Sequence, residues 1–157
     1  MLRYLFVAVV GLLLPSLSSA QCLNTRAPNP PFVPPAPYAS SAPDRQFWYG
    51  SDALWTLLGV KGKWHMTGDI YPTKLVFWRR GFDLREEPEP KLVIAGRRLD
   101  GDAPSRVVKH ANAVFVTGNR PAMMTAFDIP SVGCWELTAH YNDHTLTFIV
   151  SIVPAKS

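Results

Sequence analysis

The alternation of apolar and polar positions is sharpest over Gly133 to Val153, which reads GCWELTAHYNDHTLTFIVSIV. Asn142-Asp143 is a two-residue turn pair between two alternating runs, a strong hairpin signal. A turn there sets Tyr141 opposite His144, Ala139 opposite Leu146, Leu137 opposite Phe148 and Trp135 opposite Val150. Side chains alternate along a strand, so these four pairs share one face. The other face takes His140 with Thr145, Thr138 with Thr147, Glu136 with Ile149 and Cys134 with Ser151. A slip of one residue would mix the two sets, so the register is well specified. So amphipathic a hairpin needs a second layer over its Trp-Leu-Phe face.

Residues further upstream supply that layer. The runs Ala53 to Leu58, Lys63 to Met66, Lys74 to Arg79, Lys91 to Leu99, Arg106 to Lys109, Val114 to Thr117 and Met123 to Asp128 read as short strands. Gly- and Asp-bearing turns separate them, and Gly96 interrupts its run in the manner of a bulge. No stretch sustains a 3.6-residue apolar period. The pattern predicts an all-β antiparallel sandwich or barrel, with Trp55 and Trp135 in its core.

The N-terminal part reads differently. Arg3, the apolar run Leu5 to Leu14 and the small residues Ser18-Ser19-Ala20 have the layout of a signal peptide cleaved near Ala20. The apolar run is shorter than a membrane helix requires, and no other segment is apolar enough to span a bilayer. Residues 21–46 carry seven prolines between Pro28 and Pro43. Such a segment favours extended polyproline II and is expected to act as a tether. Cys22 and Cys134 are the two cysteines. In an exported chain they most simply form a disulfide, and Cys134 on the outer hairpin face suits a strap across the sheet. Lipid attachment at Cys22 and two free thiols are the competing readings.

Charge narrows the partners only a little. The net charge is +4, and loss of Arg3 with the leader leaves fifteen basic against twelve acidic residues, or +3. That mild excess, together with export, argues against nucleic acid. No nucleophile elbow, phosphate loop or dinucleotide glycine motif is present, and Glu86, Glu87 and Glu89 lie in a Pro-broken loop. The chain is therefore expected not to be an enzyme and to use no cofactor.

The aromatic residues are crowded, with Trp48, Trp55, Trp64 and Trp78 falling within thirty-one residues. One of Phe77 and Trp78 must face outward. Exposed rings beside Arg79 and Arg80 would form a platform, because flat rings stack on sugar faces and arginines hold carboxylates with a planar fork. Trp48, Trp78, Arg79 and Arg80 are accordingly the candidate ligand-binding residues, and an acidic cell-envelope glycan or another exported protein is the expected partner. Packing of Trp78 against the Pro-rich segment is the competing structural explanation. The alternative functional reading is a periplasmic copper carrier using His65, His110, Met123 or Met124, soft and imidazole ligands of the kind copper accepts, against which either methionine is more simply core on alternate faces.

The spacing Pro130-x-x-Gly133-Cys134-Trp135-Glu136-Leu137-Thr138, the Tyr141 hairpin and Leu146-x-Phe148-x-Val150 resemble the last two strands of bacterial immunoglobulin-like domains. With Ala53-Leu54-Trp55-Thr56 and Gly96 to Gly101, the chain is similar to small exported bacterial proteins of unassigned function. The resemblance implies an immunoglobulin-like antiparallel β-sandwich and export, and carries no catalytic residue. It departs from antibody domains in having no second cysteine on an early core strand. The expected organisation is a signal peptide over 1–20, a Pro-rich tether over 21–46, the sandwich over 47–153 and a tail over 154–157.

Overall fold

The C-terminal hairpin forms in the expected register, from Tyr141 opposite His144 to Trp135 opposite Val150 and Cys134 opposite Ser151. Asn142, at φ 50°, takes the left-handed conformation that a tight two-residue turn demands. The computed structural model describes residues 21–66, 71–116 and 120–155. The expected leader over 1–20 lies outside the described residues.

Among the described residues there are ten strands and no helix. They are β1 Gln46–Ser51, β2 Leu54–Gly59, β3 Lys63–His65, β4 Tyr71–Trp78 and β5 Leu92–Arg98. Then come β6 Arg106–Val108, β7 Asn112–Val116, β8 Arg120–Ile129, β9 Gly133–Tyr141 and β10 His144–Val153. One sheet has the order β1-β2-β4-β8-β7 and the other β3-β10-β9-β5-β6. All pairings are antiparallel except β3 with β10. The strand β1 runs through Gly50 and pairs with β2 from Gln46–Gly59 to Ser51–Leu54.

Alternation explains how the layers pack. Phe47, Leu54, Leu58, Leu75, Phe77, Met123, Phe127 and Ile129 of the first sheet join Leu92, Ile94, Trp135, Leu137, Phe148 and Val150 of the second in one buried cluster. Burying each such side chain contributes roughly 1.5–3 kcal/mol. Gly96 makes no bulge: it sits in regular register between Arg106 and Leu137. Its reason is close approach across the core, since a Cβ there would lie 2.6 Å from Cζ of Phe127.

The opposite face of the first sheet is apolar too. Trp48, Trp55, Trp78 and Ala122 form a second buried cluster, against which Leu57, Val76, Val114 and Val116 also pack. Phe32, Tyr38 and Ala42 of the Pro-rich segment cover it. The segment expected as a tether is instead a third layer, because an apolar sheet face left in water must be covered. Trp55, expected between the sheets, is fully buried in this outer cluster.

The strap begins on the second sheet. Cys22 and Cys134 form a disulfide that links residues 112 apart in sequence. Thr25 then occupies the edge of β10, donating its N–H to the Ile149 carbonyl (2.9 Å) and accepting the Ile149 N–H at its hydroxyl (2.8 Å). Elsewhere the outer face of the second sheet is polar, with Arg97 paired to Glu136 at 2.8 Å and Thr138 bonded to Thr147 at 3.1 Å.

Candidate functional site

The third layer does not close the first sheet completely. Between the strap and the strands runs an apolar groove of about 490 Å³, floored by Trp48, Trp78, Leu57 and Val76 and walled by Tyr38 and Arg120. That volume is in the usual range of ligand-binding clefts. The Tyr38 hydroxyl donates to the Pro121 carbonyl at 3.2 Å, and the Arg120 guanidinium lies 5.8 Å from the Tyr38 ring centre. Burial raises the Tyr38 pKa, opposed by Arg120 and Arg79, so the ring stays neutral beside its cation.

A second opening follows from how β2 leaves β4. The two strands share only the rungs Trp55–Trp78 and Thr56–Phe77. Beyond Thr56, whose hydroxyl donates to the Val76 carbonyl at 2.8 Å, β2 diverges and the chain crosses to the second sheet as β3. The divergence leaves a cleft of about 480 Å³ bordered by Trp64, Tyr71, Lys74 and Arg45. Trp64 and Tyr71 are half-buried and stacked, with centroids 5.3 Å apart and planes inclined by 17°. Among the described residues Asp44 is the one carboxylate in the lining, and neither Lys74 nor Arg45 forms an ion pair. Groove and cleft adjoin at Leu57, Val76 and Trp78 as a track that passes from the outer face of the first sheet, at Trp48 and Trp78, to its core side, at Trp64 and Tyr71.

The four expected ligand-binding residues divide between two places. Trp48 and Trp78 meet edge to face at 5.3 Å in the floor of the groove, 8% and 5% exposed. They do not offer the open ring faces of a platform: Trp78 does point out of the sheet, opposite to Phe77, but the outer layer covers it. Arg79 and Arg80 instead line a small polar depression with Asp52, Tyr141 and His144. Arg80 pairs with Asp52, and the Arg79 guanidinium lies 5.6 Å from the Tyr141 ring centre. Tyr141 donates its hydroxyl to Glu87, and burial followed by that carboxylate raises its pKa.

The expected copper ligands do not form a set. Met123 is fully buried in the core between the sheets, and Met124, on the opposite face of β8, pairs in register with Val76 and Asn112. His65 belongs to β3 of the other sheet, its Nδ1 3.1 Å from the Pro154 carbonyl, whereas His110 is exposed before β7. Adjacent strand residues point to opposite faces, so the two methionines cannot ligate one ion together.

Trp64, Tyr71, Lys74, Arg45, Tyr38 and Arg120 were not legible as site residues in the sequence. One signal was available: β2 and β4 read LWTLL and KLVFW, nearly continuous apolar runs, which mark a strand covered on both faces. Compared with known proteins, the chain matches no family model, no curated protein and no solved structure.

Proposed function

We propose that this chain is an exported, non-catalytic binding module with an immunoglobulin-like sandwich, and that it takes an acidic glycan along the track of its first sheet. One observation carries the ligand assignment. Groove and cleft adjoin at Leu57, Val76 and Trp78, and the rings of Tyr38, Trp64 and Tyr71 line them together with the cations Arg120, Lys74 and Arg45. Rings supply surfaces on which sugar faces stack. These cations form no ion pair among the described residues and supply counter-charge for uronate groups.

The fold assignment draws support from the strand order. In immunoglobulin sandwiches an ABED sheet faces a CFG sheet. Taking β2, β4, β8 and β7 as A, B, E and D, and β5, β9 and β10 as C, F and G, accounts for both sheets, with β1, β3 and β6 as additions. Export draws support from the leader-like N-terminal residues and from the disulfide, which persists in oxidising compartments.

Fluorescently labelled polygalacturonate oligomers test the reading. They should bind the oxidised protein in dilute salt, and Tyr71→Ala combined with Lys74→Ala should weaken binding by about tenfold, or about 1.4 kcal/mol. The far-UV circular dichroism should be unchanged. Equal affinity of the folded double variant and the parent would remove the track from the site.

A further inference from the structure

Where the track ends, its electrostatic character changes. Arg45 and Gly59 border both the cleft and a broader basin of about 920 Å³ at the β2–β3 turn. Lys61 and Lys63 complete its cationic lining with His65 beside them, and among the described residues Val60 is the single apolar side chain in it and no carboxylate lines it. Arg45, Lys61 and Lys63 form no ion pair among the described residues, whereas Arg80, Arg97 and Arg98 each hold one. We propose that this basin is a second subsite, in which Lys61 and Lys63 bind the carboxylates of an acidic polysaccharide whose chain continues from the aromatic track. The inference rests on the glycan reading of that track and extends it to the next stretch of the polymer.

The basin is held in shape by main-chain bonds. Val60 N–H donates to the Arg45 carbonyl at 2.9 Å, Gly62 N–H to the Gly59 carbonyl at 2.9 Å, and Ser151 N–H to the Gly62 carbonyl at 2.8 Å. Gly62, at φ 57°, turns the chain between the two lysines, and a Cβ there would lie 2.6 Å from Cβ of Asn24. Asn24 in turn donates its Nδ2 to the Lys61 carbonyl at 3.4 Å. The lysines therefore stand at fixed stations on a turn that the disulfide-anchored end of the strap supports. Beyond the turn, Lys63 and His65 are exposed and share one face of β3 at a spacing of about 6.6 Å. Trp64, between them, points the other way and stacks on Tyr71, so basin and track meet at a single strand.

The shape selects among polyanions. A recess of this volume admits a chain, whereas a flat bilayer would meet only its rim and the one exposed apolar side chain, Val60. The charges stand on a turn beside rings that wall the adjoining cleft, an arrangement that suits a polymer with both carboxylates and sugar faces.

The test compares polygalacturonate with its methyl-esterified form, which keeps the sugar backbone and removes the charges. The K61Q/K63Q variant of the disulfide-bonded protein changes two exposed side chains, and its fold is checked by circular dichroism. It should bind polygalacturonate roughly fivefold more weakly than the parent in dilute salt, and the difference should vanish in concentrated salt. Binding of the methyl-esterified polymer should be the same for both proteins. Equal polygalacturonate affinity for parent and variant overturns the subsite. So does a K61Q/K63Q effect seen with anionic phospholipid vesicles or single-stranded DNA but absent with polygalacturonate. Failure of the parent to bind the esterified polymer counts against the aromatic track itself, and a charge-dependent loss on polygalacturonate alone would still locate the basin.

Discussion

Asp100 shows how single residues tie the turns of this molecule to its disulfide. Burial pushes its carboxyl up, but the Arg98 guanidinium, whose Nε donates at 2.8 Å, and the Cys134 N–H together hold it below the ordinary value of 3.8. A carboxyl depressed in the native state binds fewer protons there than in the unfolded chain. Its stabilisation is therefore present above about pH 3.8 and lost as pH falls through the lower native value. Both side chains are about a quarter exposed, so the contribution is modest, about 1 kcal/mol. Asp100→Asn should lower the urea midpoint near neutral pH. The gap from the parent should close on acidification, and a gap that stays constant with pH would assign the loss to packing instead.

At the scale of elements, the strap changes the architecture most. The sequence made the C-terminal hairpin legible to the residue, because Trp135, Leu137, Phe148 and Val150 alternate strictly with Glu136, Thr138, Thr147 and Ile149. It left the strap illegible as a layer. Seven prolines give an extended chain whether or not it is docked, and Phe32, Tyr38 and Ala42 are too widely spaced to show a period. Packing of Trp78 against the Pro-rich segment is one of the two explanations the sequence offers, and it is the one the structure shows, whereas the burial of Trp48 beside it leaves no sign in the pattern. Aromatic content is visible in the sequence, while the identity of the residues that cover a ring is a tertiary property. The track was equally hidden, since it arises where β2 and β4 part after two rungs.

The disulfide anchors the strap and closes a span of 112 residues, which in the chain-entropy picture contributes about 4–5 kcal/mol. Replacing both cysteines by serine should therefore lower the unfolding free energy by several kcal/mol. The Thr25 and Asn24 bonds to β10 should keep the native tryptophan emission maximum unchanged. A red-shifted native spectrum would show that the strap lifts from the sheet without its covalent anchor.

At the scale of the whole molecule, the two sheets have unlike outer faces. The second is polar and laced with Arg97–Glu136 and Thr138–Thr147 contacts, whereas the first is apolar and holds a third layer that leaves a lined track. Binding through the first sheet would leave the closing hairpin untouched. The most direct measurement is a titration of the nitrogen-15-labelled protein with polygalacturonate oligomers, followed through the five tryptophan indole N–H signals. Binding along the track moves the signals of Trp48, Trp64 and Trp78, which line it, and leaves those of Trp55 and Trp135, which are fully buried, in place. Saturable binding that leaves the Trp48, Trp64 and Trp78 signals unmoved, or no binding at all, would contradict the account.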